Sequence, residues 1–164
     1  MVCTFAGMKV ANERNIRHLS LEEINTFFES IGEKKFRAKQ VHEWLWQKHA
    51  HSFGDMTNLS KELRQKLGEI FTLPALTVDA TQYSSDGTVK SRFRTHEGHL
   101  IEGVLIPTDE RKTACVSSQI GCSLSCKFCA TGYIDRKRNL NFDEIYDEVV
   151  LINQQSEKVY EKKL

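Results

Sequence analysis

The chain has 164 residues, of which 40% are hydrophobic and 27% are charged, and its formal net charge is +1. This composition is typical of one or two domains with an ordinary core, and a net charge so close to zero predicts by itself no nucleic-acid partner. No stretch reaches the roughly 20 apolar residues that cross a bilayer, and the first ten residues lack the apolar core of a secretory signal, so we expect a cytoplasmic protein that does not enter a membrane.

Residues 1–18 show no hydrophobic period, and we expect them to be disordered. The next segment, residues 19–74, is predicted to form a helical module that a proline closes. Apolar residues recur there at helical spacing in three stretches. The predicted helices cover residues 21–31, 37–49 and 61–70. Ser20 and Glu23 form the capping box of the first helix, and Ser60 is placed to cap the third.

Basic side chains cluster around the start of the second predicted helix. Four of them are candidates for contact with RNA phosphates, because lysine and arginine gain affinity for nucleic acid by releasing its counterions. These residues are Lys34, Lys35, Arg37 and Lys39. A solvated helix face explains the same pattern equally well, so both interpretations stay open.

Residues 75–107 change to a strand-like pattern rich in β-branched residues. Three strands are predicted, and they begin at residue 76, at residue 89 and at residue 99. An Asp86–Gly87 turn separates the first two strands, and alternation along the second places Arg92 and Arg94 on its polar side. We therefore expect an antiparallel meander, on which these arginines either contact phosphate groups or form an ordinary solvated edge.

Three cysteines recur at C-x3-C-x2-C spacing, at Cys122, Cys126 and Cys129. Three thiolates can hold three irons of a [4Fe–4S] cluster and leave the fourth iron open, whereas a structural zinc site needs four ligands and no second cysteine pair follows here. With Gly121 before the first cysteine and Phe128 before the last, the motif resembles that of radical S-adenosylmethionine (SAM) proteins, in which SAM chelates the open iron. An odd number of cysteines argues against a closed disulfide framework.

Residues 108–164 are predicted to place the cysteine motif between a strand and a helix. The strand covers Thr113–Ile120, and the helix follows Asp143 from residue 144 to about residue 155. Strand, cofactor loop and helix form the first unit of a βα barrel, whose sites lie at the carboxyl ends of its strands. The predicted fold class is therefore α+β followed by α/β: a helical module, a β meander and the start of a radical SAM barrel. Because such barrels need ~200 residues, we expect the chain to be the N-terminal part of a longer protein.

The segment Thr113–Gly132, together with Arg138–Leu140, closely resembles the dual-specificity radical SAM methyltransferases that methylate C2 of an adenine in 23S ribosomal RNA and in tRNA. Three other stretches are similar to the same family, and they are Phe36–Val41, Met56–Arg64 and Ile101–Pro107. The similarity extends over roughly residues 20–155, far more than a single short motif provides. Related enzymes that methylate C8 of the same adenine share the cysteine motif and remain an alternative.

The resemblance implies a role for each matched residue. The ligands of the [4Fe–4S] cluster, whose open iron binds SAM, would be Cys122, Cys126 and Cys129. Glu102 would accept a proton from the adenine, and Cys115 would be the resolving cysteine that closes a transient disulfide with a methyl-carrying cysteine near the family's C-terminus. That cysteine and the glycine-rich strand that receives SAM lie beyond Leu164, so we expect this chain alone to be inactive. The implied partners are 23S rRNA, tRNA and a small electron-donor protein such as flavodoxin, and we expect a monomer.

Two competing interpretations remain at the level of sequence. The chain could be an RNA-binding module whose cysteines are vestigial or bind zinc, and metal content separates this interpretation from the enzyme. It could also support another radical SAM activity, such as sulfur insertion or enzyme activation, which would not need Cys115 seven residues before the first ligand. Cys3 lies in the segment expected to be disordered and receives no role.

Overall fold

Residues 14–164 are described in the computed structural model, and they divide into two units after Pro74. Cys3 and the expectation of disorder for residues 1–13 lie outside the described residues. The same expectation is wrong for residues 14–18, which form a short strand and a turn of 3-10 helix. The turn is ordered because Ile16 is 1% exposed within the apolar core of the first unit.

The first unit is built from three helices and a two-stranded parallel pair. The helices are α1 (Leu21–Ser30), α2 (Lys35–Trp46) and α3 (Lys61–Ile70), and the strands are β1 (Arg14–Asn15) and β2 (Phe71–Thr72). The predicted caps are confirmed: the Ser20 hydroxyl accepts from the Glu23 amide while the Glu23 carboxylate accepts from the Ser20 amide, and Ser60 caps α3. The three helices predicted for this segment are therefore present.

Helix α2 ends earlier than its apolar pattern predicted. The predicted helix extended to His49, but the regular helix stops at Trp46. His49 has a φ of 55°, and the backbone amide of Ala50 donates back to the Trp44 carbonyl. A single left-handed residue ends a helix in this way, and glycine or asparagine usually marks it in a sequence, so a histidine there gave no signal.

The second unit contains a four-stranded antiparallel sheet in the order β3-β4-β5-β6. Its strands are β3 (Thr77–Tyr83), β4 (Val89–Arg94), β5 (Leu100–Pro107) and β6 (Lys112–Cys115). Along β4, Val89, Ser91 and Phe93 are buried, whereas the intervening basic residues are exposed. The predicted meander is confirmed, and β6 extends it by one strand.

The strand predicted for Thr113–Ile120 is instead two strands. Its first half is β6, which pairs antiparallel with β5, and its second half is β7 (Gln119–Ile120), which pairs antiparallel with β8 (Arg138–Asn139). The chain leaves the ladder after Cys115 because the Ser117 amide donates to a side chain of the following helix rather than to a neighbouring strand. Within residues 14–164 the β1–β2 pair is the only parallel one, so the barrel geometry expected at β6 is not observed.

Helix α4 (Phe142–Tyr160) packs on the buried face of this sheet. Asp143 was predicted to cap it, but Asn141 is the cap and Glu144 completes the capping box, while Asp143 is buried in the first turn. The helix also continues five residues beyond the predicted end. Gly103 of β5 permits its close approach, since a Cβ there would lie 2.8 Å from side-chain carbons of both Ile152 and Phe93. No helix in residues 14–164 is long and apolar enough to span a membrane.

Candidate active site

The cysteine motif lies on a loop whose two ends are held together between β7 and β8. The amide of Cys122 donates to the carbonyl of Ile134 at 3.0 Å. Gly121 has a φ of 70°, and a Cβ at this position would lie 2.2 Å from the carbonyl oxygen of Asp135. Only glycine combines this left-handed backbone with so close an approach of the returning end of the loop, so the residue before the first cysteine closes the loop.

The second and third cysteines share one tight turn. The Cys129 amide donates to the Cys126 carbonyl at 3.1 Å, and the Gly132 amide donates to the Cys129 carbonyl at 2.9 Å. The turn continues as 3-10 helix from Ala130 to Tyr133, and the Tyr133 hydroxyl donates to the Lys127 carbonyl at 2.7 Å. Backbone hydrogen bonds therefore fix the path of this part of the loop.

All three thiols are free and partly exposed. Hydrogen bonds from the backbone amides of Gly132 and Thr131 lower the pKa of the Cys129 thiol, and the Leu124 amide lies 3.5 Å from the Cys122 sulfur as a donor. The lowered pKa favours the thiolate of Cys129, which is the form that binds metal. The loop thus offers ligands of the right chemical type for an iron–sulfur cluster.

The thiols are not yet arranged as a metal site. Within the part of the chain that the structure describes, no group of three or more His, Cys, Asp or Glu side chains is placed to hold a metal ion. Large apolar side chains of the loop face solvent, and Phe128 is 93% exposed. The loop therefore supplies the donors and their order, while their convergence on a common centre is not observed.

Glu102 and Cys115, the two predicted catalytic residues, lie on the same face of the sheet. Cys115 is the register partner of Val104, and side chains two residues apart on a strand share a face, so Glu102 points to the same side as Cys115. This is the face opposite α4, because Ala114 packs against the core and Cys115 is exposed. The structure brings these two residues, which are distant in sequence, to one surface.

Lys90 forms an ion pair with Glu102. Its ammonium nitrogen lies 2.9 Å from a carboxylate oxygen of Glu102, and both side chains are about half exposed. Together with Arg92 and Gln82 they line a shallow depression of about 80 Å³ on this face. Arg92 and Arg94, the arginines predicted on the polar side, both pair with Asp79. The surface around Glu102 is thus polar and offers donors to an anion or to a nucleotide.

Glu148 was not singled out from the sequence. Its side chain is 0% exposed, and its Oε2 atom accepts from the Ser117 amide at 3.0 Å. Burial, assisted by the charge of Glu144, raises the pKa of Glu148 to about 7 despite the amide donor. Its position between Ile145 and Ile152 on the apolar stripe of α4 was the available signal, since a charged residue there must be buried.

Arg138 fastens the end of the cysteine loop to α4. Its guanidinium makes two hydrogen bonds to Glu144, at 2.7 and 2.9 Å, and two more to Glu97 in the turn between β4 and β5. These bonds raise the pKa of Arg138. Burial alone would raise the pKa of Glu144, but the donors on Arg138 and the Asn141 amide lower it overall. A charge pair this well hydrogen-bonded makes the loop exit a fixed point.

The four basic candidates of the helical module differ in their contacts. Lys35 pairs with Glu29 at 2.8 Å, and Arg37 donates from one nitrogen to the Gln40 side chain and to the Asn58 carbonyl, both at 3.0 Å. Lys34 and Lys39 are exposed. Arg37 therefore ties α2 to the segment before α3, and the two exposed lysines are the better placed for contact with phosphate.

Comparison with known proteins gives a consistent picture. Residues 14–73 match the family model described as the ribosomal RNA large subunit methyltransferase N-terminal domain. The chain is 58% identical to a probable dual-specificity RNA methyltransferase of Cytophaga hutchinsonii, over 91% of this chain and 41% of the relative. It is 52% identical to the protein of the same description from Christiangramia forsetii, over 98% of this chain and 45% of the relative.

A solved structure also matches. It is the crystal structure of a radical SAM methyltransferase from Sphaerobacter thermophilus, which is 34% identical and superposes with a TM-score of 0.77, over 92% of this chain and 44% of that chain. The resemblance predicted from the sequence motifs is therefore confirmed. The chain spans about two fifths of the length of the curated relatives that it matches.

Proposed function

Since the chain is a relative of the dual-specificity RNA methyltransferases, we propose that an enzyme containing it methylates C2 of an adenine in 23S ribosomal RNA and in tRNA by radical SAM chemistry. The observation that carries this proposal is the similarity across nine-tenths of the chain, which includes the three-cysteine loop. In this proposal β7, the cysteine loop and α4 are the first unit of the radical SAM barrel.

Cys122, Cys126 and Cys129 would hold the [4Fe–4S] cluster. When bound, the cluster and SAM supply the radical that a carbon poorly reactive toward ordinary methyl transfer requires. The closed loop ends and the backbone hydrogen bonds around Cys129 favour this assignment, because they hold three thiols in a fixed order on one short segment and favour the thiolate of Cys129.

Glu102 and Cys115 would complete the reaction on the RNA. The carboxylate of Glu102 would accept the proton that leaves adenine C2. The Cys115 thiolate would attack the sulfur of the thioether between RNA and enzyme and form a disulfide with the methyl-carrying cysteine; the carbon–sulfur bond breaks, and the released methylene carbon takes up a proton to become the methyl group of the RNA. Their placement on one exposed face, where a nucleotide can reach both, supports these roles. Lys34 and Lys39 are the first candidates for contact with RNA phosphates. A cytoplasmic monomer reduced by a flavodoxin-like donor remains part of the proposal.

Anaerobic reconstitution of the 164-residue chain with iron and sulfide tests the cluster assignment. We expect about four irons and four sulfides per chain, and a reduced EPR spectrum that changes when SAM is added. Cys126→Ala should abolish assembly, whereas Cys115→Ala should leave it intact and serves as the matched control. Full iron and sulfide content in Cys126→Ala, or stoichiometric zinc in the parent chain, would contradict the assignment.

The RNA reaction is tested in the full-length enzyme. Cys115→Ala should accumulate a covalent enzyme–RNA adduct on a denaturing gel, because nothing then resolves the thioether. Normal turnover without an adduct would rule out the resolving role. Mass spectrometry of the RNA product distinguishes 2-methyladenine from 8-methyladenine and so decides between the two related enzyme classes.

A further inference from the structure

Strand β6 leaves the sheet at a defined residue. Its pairing with β5 ends at Val104 and Cys115, and the same antiparallel register would next pair Gly103 with residue 116 and Glu102 with Ser117. Those pairs do not form. The Ser117 side chain donates instead to the Glu102 carbonyl at 2.9 Å, and the Ser117 amide is turned away from the ladder.

Glu148 accepts the hydrogen bond of the Ser117 amide, which has no partner in the sheet. A buried backbone amide without a partner is costly, and here the Glu148 Oε2 atom accepts from the Ser117 amide at 3.0 Å. The carboxyl group can reach this point because α4 packs tightly against Gly103, where a Cβ would lie 3.3 Å from the same oxygen. The chain of contacts therefore joins Glu102, Ser117 and Glu148.

The second carboxyl oxygen of Glu148, Oε1, adds nothing to the stability of the fold in this position. Among the described residues, Oε1 of Glu148 is buried and has no hydrogen-bond partner. An apolar residue would fill the same place in the core without this penalty, since a buried polar atom left unpaired destabilises the fold. The carboxyl group is thus poorly explained by packing and well explained by the amide that it holds.

We propose that Glu148 is a positioning residue for the Cys115 thiol: by holding the Ser117 amide, it fixes the point at which β6 leaves the sheet and hence the place of Cys115 beside Glu102. The role of Cys115 in the reaction rests on the proposed function, whereas the positioning of Cys115 by Glu148 does not. Glu148 acts through the backbone of Ser117, two residues after Cys115, and touches neither reactive group directly.

Alkylation of Cys115 in the reduced 164-residue chain tests the proposal. Limiting iodoacetamide is added, and mass spectrometry of each cysteine-containing peptide gives the Cys115 rate relative to that of Cys122 in the same molecule. Glu148→Leu removes the acceptor and should raise this ratio about threefold or more, because the end of β6 is then released. Glu148→Gln keeps an acceptor oxygen and should stay within about twofold of the parent chain.

Glu157→Leu makes the same substitution at an exposed position of α4 and should leave the ratio unchanged. An unchanged or lowered ratio in Glu148→Leu overturns the proposal, as does a Glu148→Gln variant that behaves like Glu148→Leu. If Glu148→Leu fails to fold, two-dimensional NMR of the parent chain decides the question. The Ser117 amide must then be protected from hydrogen exchange although it lies outside the strands, and rapid exchange would overturn the proposal.

The full-length enzyme separates this proposal from the proposed function. Glu148→Leu should lengthen the lifetime of the enzyme–RNA adduct about threefold or more, and Glu148→Gln should not. If the alkylation result holds but even Cys115→Ala forms no adduct, the proposed function is wrong and the positioning role stands. If the adduct forms and Glu148→Leu changes neither its lifetime nor the alkylation ratio, the positioning role is wrong.

Discussion

The carboxyl group of Glu148 makes the stability of the second unit depend on pH. Burial raises its pKa from 4.5 to about 7, so the folded chain keeps a proton that the unfolded chain loses across this range. The free energy of unfolding therefore falls as pH rises from 4.5 to about 7, by about 3 kcal/mol for this group. Glu148→Gln cannot lose a proton and should remove this contribution.

Urea denaturation at pH 5 and at pH 8 measures the effect. The parent chain should lose more stability between the two values than Glu148→Gln does, and the variant should be the more stable of the two at pH 8. Glu157→Gln, on an exposed part of the same helix, should follow the parent chain. Equal pH dependence in all three proteins would contradict the buried ionisation.

Gly121 is the residue at which the cysteine loop tolerates least change. Gly121→Ala should cost clearly more than the ~1 kcal/mol of placing alanine in a left-handed conformation, because its Cβ would also lie 2.2 Å from the Asp135 carbonyl oxygen. Gly98→Ala is the matched control, since Gly98 has a φ of 87° and open space around it. Thermal unfolding of both variants measures the difference, and equal losses would show that the loop closure relaxes.

At the scale of elements, helix α4 holds distant segments through its carboxylates. Asp147 accepts from the Leu76 amide at the entry to β3, Glu148 accepts from the Ser117 amide after β6, and Glu144 pairs with Arg138 at the exit of the cysteine loop. Each acid satisfies a donor that no strand pairing satisfies. The helix thus organises the second unit by hydrogen bonds as well as by its apolar stripe.

Arg138→Lys should loosen the exit of the cysteine loop. Lysine cannot make the two parallel hydrogen bonds to Glu144 and still reach Glu97, so we expect a loss of about 1–3 kcal/mol. Arg136→Lys should change stability by less than about 0.5 kcal/mol, since Arg136 is exposed and bonds only to the neighbouring Asn139 side chain in the described hydrogen bonds. Chemical denaturation measures both losses, and equal losses would remove the special role of Arg138.

Features set by residues close in sequence could be predicted, whereas features set by distant contacts could not. The caps at Ser20 and Ser60 lie within three residues of the groups that they bind, so the sequence displays them directly. The break between β6 and β7 depends on Glu148, which lies 31 residues from Ser117. No periodicity in the strand itself could reveal it, because β6 and β7 together still alternate as one strand would.

The same distinction applies to the candidate site. The cysteines were found because their spacing is local, whereas the roles of Glu102 and Cys115 came from resemblance and remain predictions. Their shared face follows from a register that only the folded sheet defines. Arg138 lies in a stretch that resembles the methyltransferases, but its partners Glu97 and Glu144 come from a turn and a helix that the sequence does not bring together.

At the scale of the whole molecule, each unit has its own apolar core. Leu67 is fully buried in the first and Leu105 in the second. Leu67→Ala and Leu105→Ala should each cost about 2–5 kcal/mol and raise hydrogen exchange within their own unit. Hydrogen-exchange mass spectrometry of the two variants measures this, and equal loss of protection across residues 14–164 in both would contradict the division into two units.

The dependence of the sheet on α4 has a consequence during synthesis of the chain. The Leu76 amide needs Asp147, and Ser91 needs Gln155, which is made 64 residues later. At about 5–20 residues per second, the ribosome takes roughly 3–10 s to extend the chain from the end of β5 to the end of α4. The same interval separates the emergence of β5 from that of α4, so the apolar face of the meander is outside the ribosome for several seconds before its own helix can cover it.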